Sequence, residues 1–501
     1  MDNKHSLRRR AFMQLMALAS AKALTGCGPE SSGAGGTGGS TTTSSGGSGG
    51  TGGATSSGKS VVVIGGGLAG LCSAYELKKL GYNIVAILEA QKRTGGRVHT
   101  LRDGWKNNQY SELGATRIAD SHNFTLQYVD EFKLTLREFT GGPSLYSLKG
   151  NVFTHADGDA WPDFLSLKPE EKMLGADSLV LSYEKLDELG DPKAIDWPSG
   201  KALDYKDQSI FQYLMANGAS EDVLLIDRAI NGGELTSDAA LYWLMADVVD
   251  AKWDKTYAIA GGNDQLPAAF TTALADVVKY EHVVTAIEQD ASSVTVTYEN
   301  AGMEGKVTAD LCVCAIPFTT LRKVKVTPAF SEVKTAVVNG MSYMPVSRCY
   351  MQTKTRFWTT KGIGGLKIAR TDTAIERLWD LTAVQDGDTG LFLAYMQNQS
   401  ALDFAAQAEA ARVDYAKAAI STFFPEIDTE MDSAQYKIWQ DDPWVGGGWG
   451  YYKPGEIADW MPASKAPEGR VYFCGEHTSP WSGWMQGAFE SANRVVAQIT
   501  G

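Results

Sequence analysis

Ser60-Val61-Val62-Val63-Ile64-Gly65-Gly66-Gly67-Leu68-Ala69-Gly70 is the stretch on which the fold turns. A short β-branched run with no polar alternation reads as a buried parallel strand. It passes directly into Gly65, Gly67 and Gly70, the three G-x-G-x-x-G positions. The first permits a tight turn, the second lets backbone approach a pyrophosphate, and the third allows close helix–strand packing. Residues 68–80 read as a helix with Leu68, Leu71, Cys72, Tyr75 and Leu80 on its apolar face. Phosphates would sit on its N-terminal amides. A second strand, Asn83 to Leu88, ends at Glu89, 19 residues past Gly70, where a ribose-binding acid belongs. A glycine triplet alone is weak evidence. Strand, triplet, helix, strand and acid in that order make a dinucleotide site.

Around this core the chain has 501 residues, too many for one small domain. With 44% hydrophobic and 21% charged residues it is globular, which excludes wholesale disorder. The formal charge is −13, and residues 1–26 contribute +4 of it, so the body carries −17. Such a body is a poor partner for nucleic acid or anionic membrane. No apolar run reaches the ~18–20 residues of a membrane-spanning helix. Six cysteines are too few for a disulfide framework in a chain this long. The histidines lack metal-ligand spacing, and Cys312 and Cys314, one residue apart in a strand, point to one face and pack. No metal is expected. No nucleophile elbow or Ser/His/Asp order stands out, which argues against hydrolysis.

The N-terminus reads as an address. Arg8-Arg9-Arg10 precedes a modest apolar stretch, Ala11 to Ala21, as in a secretory signal. Arg9-Arg10-Ala11-Phe12-Met13 resembles the twin-arginine export signal. Leu24-Thr25-Gly26-Cys27 resembles a lipobox, whose cysteine becomes the lipidated first residue of a bacterial lipoprotein. Gly28 to Gly58 holds 13 Gly, 8 Ser and 6 Thr in 31 positions, so it cannot bury a core and behaves as a tether. The order implies export to the bacterial cell envelope, with membrane contact only through a lipid on Cys27.

Arg93-Thr94-Gly95-Gly96-Arg97, which follows Glu89, closely resembles the R-x-G-G-R extension of flavin amine oxidases. Gly95 and Gly96 give a tight loop, and Arg93 and Arg97 offer guanidinium donors to pyrophosphate. Four further blocks carry the resemblance: Glu112 to Ile118, Ala258 to Pro267, Leu311 to Pro317, and Tyr472 to Ser491. The chain resembles the flavin-containing amine oxidase superfamily from about residue 60 to 501, and within it the L-amino acid oxidases. The resemblance implies non-covalent FAD. Cys474 is the sole cysteine in the last block, where covalently flavinylated members need one, and it reads as a small packed residue.

Residue by residue, the resemblance implies the following. Gly114, Ala115 and Thr116 lie along the cofactor. Glu476 hydrogen-bonds the ribityl or phosphate part of the flavin, with Gly475 and Gly483 allowing close backbone approach. Trp484-Met485-Gln486 opens the last helix, whose positive end faces the flavin O2/N1 edge. Val284 either contacts adenine through its backbone or is a plain core strand residue. Arg117, in Gly114-Ala115-Thr116-Arg117-Ile118, holds the substrate α-carboxylate through two parallel bonds; a surface salt bridge is the plainer alternative. Tyr395 gives that carboxylate a second partner, or else packs at a strand end. Trp439 lies beside the isoalloxazine, and Trp449 and Trp484 flank the amine and side chain. Trp444 and Tyr452 fit a cage or a core equally well. Arg348 stands where many members place a lysine that holds a water near flavin N5. It either does that job differently or is structural.

The expected fold is mixed α/β. A Rossmann-like FAD-binding domain is built from 60–125, 255–330 and 464–501. A mixed-sheet substrate domain uses 126–160 and 331–463, and 161–254 form a helical insertion lining an entry channel. Residues 1–26 are the signal and 27–59 the tether. The expected activity is oxidative deamination of L-amino acids to 2-oxo acids, ammonia and H2O2, by hydride transfer to flavin N5 with O2 as acceptor. Bulky apolar or aromatic side chains are expected, because Trp and Tyr line the inferred pocket and no acid does. The assembly is expected to be a homodimer. An amine or polyamine oxidase, a related monooxygenase giving an amide, and a flavin-free binding lipoprotein are the competing readings.

Overall fold

The computed structural model describes residues 58–232, 236–250 and 254–501. The signal, Cys27 and almost all of the tether lie outside the described residues. Among the described residues no helix is long and apolar enough to cross a membrane, and no cluster of ligating side chains could hold a metal ion.

Ser60–Ile64 is the middle strand of a five-stranded sheet. Across the sheet the strands run Val278–Lys279, Asn83–Leu88, Ser60–Ile64, Leu311–Cys314 and Val471–Phe473. Every neighbouring pair is parallel. Val61, Val62 and Val63 are fully buried because both faces of the sheet are covered, which is why the run shows no alternation. Leu68–Lys79 is the helix that follows the glycines, and Met485–Thr500 packs against it through Phe489, Ala492 and Val495. Parallel strands all end on one side. Gly65, Glu89, Ala315 and Gly475 therefore sit on one rim, the crevice where open α/β sheets bind ligands.

A second, mixed sheet of seven strands stands over that rim. Its spatial order is Met431–Ile438, Val346–Thr353, Gly390–Gln397, Arg377–Asp380, Lys367–Thr371, Ser144–Leu148 and Asn151–His155. Only the Lys367–Thr371 pairing with Ser144–Leu148 is parallel. Val346–Thr353 and Gly390–Gln397 are buried along their whole length.

The intervening segment is helical, with Ala176–Leu181, Ile210–Ala216, Glu221–Asn231 and Ala240–Asp250. The sequence suggests helices over Asp207 to Asn217 and Asp238 to Val249, each two or three residues too early. Ser209 explains the first. Its hydroxyl accepts from the Gln212 amide while the Gln212 side chain caps the Ser209 amide, so the helix begins after it.

Candidate active site

One cavity of about 450 Å³ runs from the glycine turn to the face of the second sheet. Of the residues assigned to cofactor or substrate, all but Gly70 and Arg93 line it. Gly70 acts inside the fold. A Cβ there would lie 2.0 Å from the Gly65 carbonyl oxygen, whereas at Gly67 it would meet nothing within 4 Å. Gly67 thus opens onto space that a pyrophosphate can use, and Gly70 closes helix onto strand. Gly70→Ala is expected to cost about 1–3 kcal/mol of stability by overpacking. Gly67→Ala should leave the melting temperature of the ligand-free chain within a degree or two and lower its retention of dinucleotide. Thermal melts and the cofactor-to-protein absorbance ratio of both variants check the contrast.

Arg93 is not among the residues lining the cavity. Its guanidinium donates to the carbonyls of Thr94 and Gly96 and so braces the loop. Arg97 does face the cavity and donates to the Glu476 carboxylate at 2.6 Å and to the Gly448 carbonyl at 2.8 Å. Glu476 also accepts from the Gly483 amide at 2.9 Å and the Ser482 hydroxyl at 3.2 Å. Burial pushes the Glu476 carboxyl up, but Arg97, His477 and the Gly483 amide hold it below its ordinary value. Glu89 accepts from the amides of Gly66 and Gln91. Its burial raises its pKa. Val284 lines the cavity beside His282 and Val283. Trp444 lines it too, and Tyr452 lies in the core instead. The glycine cradle, the acid at the second strand's end and Arg97 fit a dinucleotide.

At the other end, the Arg117 guanidinium lies over two rings, 5.0 Å from Trp379 and 5.1 Å from Trp484. Burial, together with Arg377 and Arg348, lowers its pKa to about 10, so it stays charged at neutral pH. Tyr395 sits between two more guanidiniums. Arg348 and Arg377 flank it in the strand register and lie 4.5 and 4.6 Å from its ring centre. Burial pushes the phenol up, but the two cations bring it below its usual value. Arg348 donates to the Glu112 carbonyl, the Gly114 carbonyl and the Thr116 hydroxyl, and so fixes the Gly114–Arg117 turn. Trp439 donates its indole N–H to the Leu113 carbonyl at 2.7 Å, which locks that ring in the wall.

Five charged lining residues escaped the sequence reading: Lys323, Lys367, Arg377, Asp247 and Asp250. The two aspartates come from Ala240–Asp250 and correct the expectation that no acid lines the pocket. A signal was present. Arg377 stands in Arg377-Leu378-Trp379-Asp380, a strand buried at every position, and a charge in such a strand needs a function or a partner.

Comparison with known proteins adds a family and a fold. The family described as flavin containing amine oxidoreductase matches residues 68–500. The chain is 31% identical over 457 residues to YobN of Bacillus subtilis, whose name gives it as a candidate L-amino-acid oxidase; the match covers 87% of this chain and 93% of that one. It is 27% identical to the flavin-dependent L-tryptophan oxidase RebO of Lentzea aerocolonigenes, covering 87% and 96%. Among solved structures, wild-type putrescine oxidase bound to putrescine superposes with a TM-score of 0.77 at 21% identity, over 88% of this chain and 99% of that chain. Cyclohexylamine oxidase from Brevibacterium oxydans gives 0.75 at 21% identity, over 88% and 100%.

Proposed function

We propose that this chain, which belongs to the flavin-containing amine oxidoreductase family, is an oxidase of L-amino acids that uses non-covalent FAD. The observation that carries the reading is Arg117. A charged guanidinium held between the Trp379 and Trp484 rings faces the cavity. An amine substrate without a carboxylate has no use for it, whereas an α-carboxylate can take two parallel charge-assisted bonds from it. Tyr395, on the same wall, is a hydroxyl donor for that carboxylate. The names of YobN and RebO support the same substrate class. Non-covalent attachment is supported by the cysteines: none of those described lines the cavity, and Cys474 is fully buried beside Ser73.

The bound flavin supplies two-electron oxidation of the substrate C–N bond, with O2 as final acceptor and H2O2 as product. The protein's part is binding and positioning. Arg117 and Tyr395 fix the carboxylate end, while Trp449 and Trp484 shield the amine from water. The N-terminus of Met485–Thr500 reaches the cavity through Met485 and favours negative charge there. We further propose that the chain is exported and lipid-anchored at Cys27.

A peroxide-coupled screen of the twenty L-amino acids, their D-isomers and simple amines tests the reading. H2O2, ammonia and a 2-oxo acid from L-isomers are expected. Turnover confined to amines, or an amide in place of the 2-oxo acid, contradicts it.

A further inference from the structure

The second sheet carries an unusual row. Arg370, Arg377, Tyr395 and Arg348 are direct neighbours across four adjacent strands. Like charges directly opposite each other destabilise a sheet. A buried cation with unmade hydrogen bonds costs more still. Each member should therefore have compensation. Arg370 donates to the Tyr146 hydroxyl and lies over that ring. Arg348 has its three oxygen acceptors.

Arg377 is less well served. It is 5% exposed, and its Nη1 donates to the Asn231 carbonyl. Among the described residues its Nε and Nη2 make no hydrogen bond, and its one carboxylate neighbour, Glu376, is 3.6 Å away. Lys367 lies opposite Trp379 in the register and lines the same cavity, and among the described residues its amine has neither hydrogen bond nor ion pair. Burial, with Arg370, Arg117 and Arg377 nearby, lowers its pKa to about 7 against the opposing pull of Asp177.

From the facing helix, Asp250 acts on Arg117 rather than on Arg377 or Lys367. Asp250 lies 3.7 Å from His122. Burial and the neighbouring acids raise the Asp247 carboxyl, which shares a hydrogen bond with Glu184. An α-carboxylate on Arg117 leaves Arg377 and Lys367 facing the same cavity, neither of them hydrogen-bonded to a carboxylate among the described residues, with Glu376 3.6 Å from Arg377 and Asp177 acting on Lys367.

We propose that Arg377 and Lys367 form a second anion subsite, which takes the side-chain carboxylate of a dicarboxylic L-amino acid. This rests on the reading that Arg117 and Tyr395 hold the α-carboxylate. It replaces the expected preference for bulky apolar side chains with an acidic one.

The test uses the purified flavin-loaded enzyme. kcat/KM is measured for L-glutamate against L-glutamine and for L-aspartate against L-asparagine, pairs matched in shape. At least one acid should exceed its amide by about 30-fold or more, the lower end of what a desolvated charge pair contributes. Arg377→Gln and Lys367→Met should each pull that ratio toward one. A second readout needs no turnover and no variant. Glutarate should perturb the flavin absorbance with a half-saturation at least about tenfold below that of pentanoate, which lacks the second carboxylate. Acid-to-amide ratios at or below one, with glutarate binding no tighter than pentanoate, overturn the subsite. If neutral L-amino acids are then still oxidised, the Arg117 clamp survives. If carboxylate-free amines outrun every L-amino acid, the clamp itself has failed.

Discussion

Arg117→Ala is expected to lower kcat/KM for L-amino acids by roughly 30- to 3000-fold while the chain keeps its fold, its flavin and its yellow colour. Removing one partner of a desolvated charge-assisted pair costs about 2–5 kcal/mol, and ~1.4 kcal/mol is a factor of ten. The guanidinium is walled by Trp379 and Trp484, so little water replaces it. Arg117→Lys should recover only part of the loss, because an ammonium cannot reproduce the fork. The alanine variant should also discriminate less between an amino acid and the matching amine. An arginine in a surface salt bridge would change stability by about 0–1 kcal/mol and leave the kinetics alone. Steady-state kinetics beside a flavin spectrum separate the two.

Glu476→Leu is expected to be the most damaging change on the cofactor side, at about 3–5 kcal/mol of stability, with loss of bound flavin. The carboxylate is buried and serves Arg97, Ser482 and the Gly483 amide at once. Leucine leaves Arg97 without its counter-charge and the Gly483 amide without an acceptor. Urea unfolding and the flavin-to-protein absorbance ratio measure both effects. Acid should act on the same spot. The folded-state pKa of Glu476 is depressed, so its stabilisation is present above the ordinary carboxyl range and is lost as pH falls through the lowered value. Burial lowers the neighbouring His477 from 6.5 to about 3. The unfolded chain therefore gains its proton first, and stability also falls as pH drops from about 6.5 toward 3. Below about pH 4.5 the wild type should lose melting temperature more steeply than Glu476→Leu.

The cofactor half of the site was legible because its signals are local. Strand, glycine turn, helix and acid fall within residues 60–89, and each follows from backbone sterics and burial that a short window displays. The mixed α/β class and the family followed from five such windows in order. Arg93 shows what a local motif leaves out. Its type and spacing suit a phosphate, and its guanidinium also donates to the carbonyls of its own loop. The substrate wall was legible only in part. Arg117 and Tyr395 sit in recognisable segments, whereas Arg377 and Lys367 acquire meaning from register between strands far apart in the chain. Arg348 and Tyr395 are 47 residues apart in sequence and opposite each other in the sheet. Nothing in either segment alone states that pairing. Asp247 and Asp250 read as the polar face of an insertion helix until its packing turns them inward.

The account stands on the claim that the cavity recognises an α-carboxylate beside the reacting amine. The most direct measurement is kcat/KM for each L-amino acid that the wild-type enzyme turns over, paired with the amine that remains when its carboxylate is removed. The account predicts that the amino acid exceeds its amine by about 30-fold or more in every pair, and that Arg117→Ala collapses the gap. An amine that equals or exceeds its amino acid would contradict it and make the protein an amine oxidase without carboxylate recognition.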